Sequence, residues 1–187
     1  MKKHLTIALI LSWFCASAQQ PAIAFQLTDV MTGTPVSLDQ YAGKTVVVIF
    51  TSNECPYDNY YRERVAALVS EYGGRAAFLF INSHLDPPEA EEHMKKKASS
   101  WGFRAPYLSD KSQTAMETLG ARRSPEVFLL KSSNGKFAVF YSGAIDDNPQ
   151  EAGAVTSQYL RDALEDLLNE RTTIPSVRAA GCSIRKK

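Results

Sequence analysis

The stretch best equipped for covalent chemistry is Thr51-Ser52-Asn53-Glu54-Cys55-Pro56. It follows five consecutive apolar residues, Val46 to Phe50, which read as a strand buried on both faces. Beyond it Tyr61, Val65, Leu68, Val69 and Tyr72 recur at helical spacing, and Pro56 suits a first helical turn because its missing N–H would have been unpaired there. Cys55 is therefore expected where a buried strand hands over to a helix N-terminus. Unpaired N–H groups and the positive end of the helix dipole stabilise a thiolate at such a place. Thiols so placed titrate at roughly 3.5–7.5 instead of about 8.5, which makes them nucleophiles at neutral pH. The bland alternative is a small buried core residue; the switch-point position favours the reactive one.

The elements that must hold this cysteine can be followed along the chain. Lys2 and Lys3, the apolar run Leu5 to Phe14 and Ala16-Ser17-Ala18 read as a signal peptide over residues 1–18, leaving Gln19 as the mature N-terminus. That apolar run is too short to span a bilayer. Lipid attachment at Cys15 fits poorly, because Trp13 and Phe14 stand where such sites need small residues. The expectation is an exported protein, periplasmic or extracellular, in a compartment that permits disulfides between the two remaining cysteines, Cys55 and Cys182. With Lys2 and Lys3 set aside, 19 basic residues face 20 acidic ones, a balance that argues against nucleic acid or a membrane surface as partner.

Residues 19–171 read as one domain and 172–187 as a tail carrying Cys182. Phe25 to Leu27 and Val36 to Leu38 form a hairpin around Met31-Thr32-Gly33-Thr34, and Leu38 to Gly43 a short helical turn. After the Cys55 helix, Gly73-Gly74 is a stop signal and Ala76 to Ile81 a second buried strand. Asp86-Pro87-Pro88-Glu89 opens a helix running to about Trp101. Ala105 to Leu108 is extended, Ser112 to Leu119 is a helix closed by Gly120, and Val127 to Leu130 with Phe137 to Tyr141 is a hairpin across Asn134-Gly135. A final helix is expected over Val155 to Asn169. The order implies an α/β fold with a mixed sheet and helices on both faces.

This order, with Cys55 after the first central strand and Arg123-Ser124-Pro125 before the third, resembles the thioredoxin fold. More narrowly, Phe50 to Pro56, Ser124 to Leu130, Tyr141 to Asn148 and the tail Gly181-Cys182-Ser183-Ile184 resemble the peroxiredoxin-like branch of the AhpC/TSA (redoxin) group. Two departures stand out. Asp58 occupies the second position of a C-x-x-C pair, and Val48 the place of the peroxiredoxin motif proline.

The resemblance implies an oxidoreductase without a cofactor. Cys55 is the nucleophile toward a hydroperoxide, and Cys182 the resolver that condenses with its sulfenic acid, within one chain or across a homodimer. A permanent Cys55–Cys182 staple is the competing structural role. Ser52 is a candidate donor to a bound peroxide, or an ordinary turn serine. Arg122 and Arg123 are candidates to stabilise the thiolate and the leaving oxygen, or solvated loop charges. Ser124-Pro125 resembles the cis-proline loop that offers its backbone to a docked substrate chain, with Pro56 facing the same substrate. That feature points to thiol–disulfide exchange with protein partners, supplied by a thiol reductant. A third reading is a binding module that kept the fold and lost the chemistry. His84 reads as solvated, as does His93 on a charged helix face beside Lys95 to Lys97, and no cysteine or histidine spacing suggests a metal site. No phosphate loop or dinucleotide fingerprint is present.

Overall fold

The computed structural model describes residues 22–102, 104–172 and 175–187. The signal-peptide expectation, Cys15 included, falls outside them. The strands are β1 (Gln26–Asp29), β2 (Pro35–Ser37), β3 (Thr45–Phe50), β4 (Ala76–Asn82), β5 (Tyr107–Ser109), β6 (Arg123–Ser124), β7 (Glu126–Ser133), β8 (Lys136–Gly143) and β9 (Cys182–Ser183). The helices are α1 (Pro56–Tyr72), α2 (Glu91–Trp101), α3 (Thr114–Leu119) and α4 (Tyr159–Leu168).

Seven strands make one mixed sheet in the order β2-β1-β5-β4-β3-β7-β8. β3 lies between β4, to which it runs parallel, and β7, to which it is antiparallel. Its buried position explains the unbroken apolar run, since a strand covered on both faces has no solvent side to mark with polar residues. Val47 and Ile49 join Tyr61, Val65 and Leu68 of α1 and Leu160, Ala163 and Leu164 of α4 on one face. Val46, Val48 and Phe50 join Ala115, Met116 and Leu119 of α3 on the other, together with Leu38 and Ile184. Each valine, leucine, isoleucine, phenylalanine or methionine among them, taken fully out of water, stabilises the fold by about 1.5–3 kcal/mol. The two cores thus fix the direction in which β3 delivers Cys55.

The sequence boundaries shift at three helices. The helix opened by Pro87-Pro88 is a 3-10 turn over Pro87–Glu89, then α2 begins at Glu91 after an extended Ala90. α3 starts at Thr114 because Gln113 adopts φ +63, which no right-handed helix accommodates. α4 starts at Tyr159; Val155 instead closes a 3-10 turn over Ala152–Ala154. Two charged or polar expectations are also corrected. His84 is buried, and Lys97, expected with Lys95 and Lys96 on a solvated helix face, is buried too. Both are drawn in by polar partners described below. Among the described residues, no helix is long and apolar enough to cross a membrane.

Candidate redox site

Cys55 occupies the cap position of α1, with Pro56 in the first turn, at the C-terminal end of β3. Its Sγ forms a disulfide with Cys182 of the same chain, with Cα atoms 5.9 Å apart across 127 residues of sequence. Cys55 is 2 % exposed in this oxidised state, whereas Cys182 is half-buried. The cover over Cys55 is not apolar packing alone. Its Sγ lies 3.2 Å from the Ser124 carbonyl oxygen, and the tail strand β9 lies across it, paired antiparallel to β6 through Ser124–Cys182 and Arg123–Ser183. The Ser124–Pro125 peptide is cis.

Ser124 joins three parts of the site. Its backbone pairs with Cys182, its carbonyl faces the Cys55 sulfur, and its hydroxyl meets His84 Nε2 at 2.8 Å. Burial lowers the pKa of His84, with Lys111 adding to the effect against Glu89, so the ring is neutral at physiological pH. The Arg122-Arg123 segment is held by Glu126, whose carboxylate accepts both of their backbone N–H groups, at 2.6 and 3.0 Å. The Arg123 guanidinium donates to the Gly181 carbonyl at 2.9 Å, so it holds the tail; Arg122 is exposed.

Ser52 sits beneath the cysteine turn with its hydrogen-bonding capacity filled. Its hydroxyl donates to Glu89 and accepts from the Cys55 N–H at 3.0 Å and the Glu54 N–H at 3.1 Å. In this state the hydroxyl positions the Cys55 backbone. Glu89 also accepts the Asn53 N–H and the Asn82 side-chain amide, each at 2.7 Å. Burial alone would raise Glu89, but these hydrogen bonds outweigh it and hold the carboxyl below its ordinary value.

Three ionisable groups to which the sequence reading gave no role at the site form a buried cluster here: Glu89, Asp58 and Lys97. Burial pushes Asp58 up to about 6, against the pull of Lys97 and the hydrogen bonds from Thr51 and Ser52. Lys97 Nζ lies 3.7 Å from Asp58, donates to the Ser52 carbonyl, and stacks 4.1 Å from the centre of the Trp101 ring. Burial lowers its pKa while both carboxylates oppose that. The available signal was positional. Asp58 stands one helical turn after Cys55, and Lys97 lies on α2 at the spacing of Met94 and Ala98, which face the core. Among the described residues, no group of three or more His, Cys, Asp or Glu side chains could hold a metal ion.

A strand-to-helix cysteine, an opposing X-Pro loop and a mixed sheet define a thioredoxin-like redox protein. The chain belongs to the AhpC/TSA family, whose model matches residues 18–144. It is thus an oxidoreductase by family. Among solved structures it is similar to an uncharacterised conserved protein of Geobacillus kaustophilus, at 28% identity and TM-score 0.79, covering 91% of this chain and 94% of that one. A hypothetical protein of Sinorhizobium meliloti is similar at 29% identity and TM-score 0.78, over 89% and 92%. The peroxidoxin BcpB of Mycobacterium tuberculosis shares the fold at 21% identity and TM-score 0.53, over 80% and 92%. Comparison with curated proteins found no match.

Proposed function

We propose that this chain is an exported thiol–disulfide oxidoreductase acting on protein partners, with Cys55 as nucleophile and Cys182 as resolving cysteine. The observation that carries this reading is the position of the tail. Cys182 reaches Cys55 as part of an extended strand hydrogen-bonded to the backbone just before the cis proline. A partner's cysteine presented in the same way would meet the same sulfur.

The cycle starts from the dithiol. The Cys55 thiolate attacks a partner disulfide; one partner sulfur joins Cys55 and the other leaves as a thiolate. The Cys182 thiolate then attacks Cys55 Sγ, releases the second partner sulfur and closes Cys55–Cys182. Two electrons pass to the partner, and an external dithiol returns them. The 17-residue helix behind Cys55 stabilises its thiolate, the attacking group of the first step and the leaving group when the external dithiol attacks Cys182. Half-burial of Cys182 leaves the disulfide open to that reductant. Ser124 and Pro125 supply the docking backbone, and Pro56 borders the sulfur from the helix side.

Hydroperoxide reduction is the second reading, favoured by the ready closure of Cys55 with a resolver in the same chain. There the Cys55 sulfur takes one peroxide oxygen, an alcohol or water leaves, and Cys182 expels water from the sulfenic acid to form the same disulfide. Incubation of reduced Cys182→Ser protein with disulfide-bearing exported proteins separates the two. Mixed disulfides that need Cys55 support exchange. Stopped-flow oxidation of Cys55 by hydrogen peroxide much faster than that of free cysteine, with no trapped partner, supports the peroxidase instead. Export is checked by the mass of the secreted chain, which should begin at Gln19.

A further inference from the structure

The tail shows which sequence the docking edge accepts, because most of its contacts ignore side chains. Besides the β6–β9 pairing, the Ile184 N–H donates to the Arg122 carbonyl at 2.9 Å. The Gln113 side chain acts as a second strand edge: its amide donates to the Arg185 carbonyl at 2.7 Å and its oxygen accepts the Lys187 N–H at 2.9 Å. Within Gly181–Ile184, side-chain identity counts at three positions. Cys182 makes the disulfide. Ile184, 8 % exposed, enters the core beside α3. Gly181 passes so close to the loop that a Cβ there would stand 2.3 Å from the Ser124 carbonyl oxygen and 3.1 Å from the Pro125 nitrogen. Both are backbone atoms that cannot swing aside. Ser183, between Cys182 and Ile184, is exposed and unconstrained.

We propose that the edge made by Arg122, Arg123, Ser124 and Gln113 is a docking surface selective for a partner segment of the pattern glycine, cysteine, any residue, apolar residue. The C-terminal tail is its resident copy. This rests on the exchange reading above and adds the partner's sequence to it. Opening of the Cys55–Cys182 bond by a dithiol frees the strand, and a partner segment replaces it in the same register. A residue larger than glycine before the cysteine would push the strand off β6 and carry the sulfur out of line with Cys55.

The test uses the full chain carrying Cys182→Ser and two peptides that differ only in Gly-Cys-Ser-Ile or Ala-Cys-Ser-Ile. Each is activated as a mixed disulfide with thionitrobenzoate. Cys55 attacks the peptide sulfur, the sulfur–sulfur bond to nitrobenzoate breaks, and the coloured thiolate leaves. The residual tail competes equally with both peptides, so it cancels from the ratio. The glycine peptide should react about tenfold faster or more, the cost of an unrelieved backbone overlap. Rates within about twofold of each other overturn the proposal. The unconjugated dithiobis reagent reads Cys55 by itself, and silence there refutes exchange without bearing on the edge. The edge is then decided by the intrachain bond. In glutathione buffers Gly181→Ala should weaken Cys55–Cys182 closure by about tenfold or more, and unchanged closure overturns the proposal.

Discussion

At the scale of single residues, the charge arrangement under the cysteine turn sets a pH dependence. The raised Asp58 pKa means that its contribution to stability is full below the ordinary carboxylate range and is lost as pH rises through about 6. Lys97 is the cation that limits this loss, 3.7 Å away and itself buried. Removing one partner of a buried pair costs about 3–5 kcal/mol because the other charge is left uncompensated. Asp58 can escape that penalty by taking a proton, whereas Glu89, fixed in its ionised form by hydrogen bonds, keeps its charge. Lys97→Met should therefore destabilise strongly at about pH 8 and distinctly less at about pH 5. Urea unfolding at the two pH values measures the difference. An equal loss at both would mean that Asp58 does not titrate between them.

Among the elements, the final strand depends on a crossing at the root of the tail. Gly143, the last residue of β8, has φ +128 and forms a bridge with Val177 at the root of the tail. The Ala144 N–H donates to the Val177 carbonyl at 2.8 Å, and a Cβ on Gly143 would overlap that same carbonyl. Gly143→Ala combines a backbone conformation foreign to L side chains with a collision, and the tail is the element free to move away. Trypsin should then cut after the exposed Arg178 several times faster than in the wild type, with the sheet intact by circular dichroism. Unchanged cleavage would show that the contacts from Gly181 onward hold the tail without the Val177 crossing. This tether also marks where sequence reading stops. The β3 run, Pro56 and Gly73-Gly74 announce themselves through local periodicity and backbone chemistry. The pairing of β9 with β6 joins segments whose local patterns name no partner, and two-residue strands carry no period at all.

At the scale of the whole molecule, the order of strands and helices was legible because buried strands and amphipathic helices each write their own period. The polar interior was not. Glu89, Asp58, Lys97 and His84 are charged or titratable types that composition places outside, and only tertiary hydrogen bonding brings them in. The Cys55–Cys182 link falls between these cases: the resemblance suggested the pair, and the fold closes it within one chain. Its span of 127 residues predicts a global effect. A cross-link over so long a loop removes many conformations from the unfolded chain, and such bonds stabilise by about 2–4 kcal/mol. That is a large part of the roughly 5–15 kcal/mol that holds a domain folded. Reduced wild type and Cys182→Ser should both be less stable than the oxidised protein by that amount, and so unfold at lower urea. Their m-values should also be larger, because an uncrosslinked unfolded chain exposes more surface. Coincident midpoints for the oxidised and reduced forms would mean that strain in the closed site cancels the entropic gain. A lower midpoint for Cys182→Ser than for reduced wild type would instead show that the Cys182 side chain supports the fold without its bond.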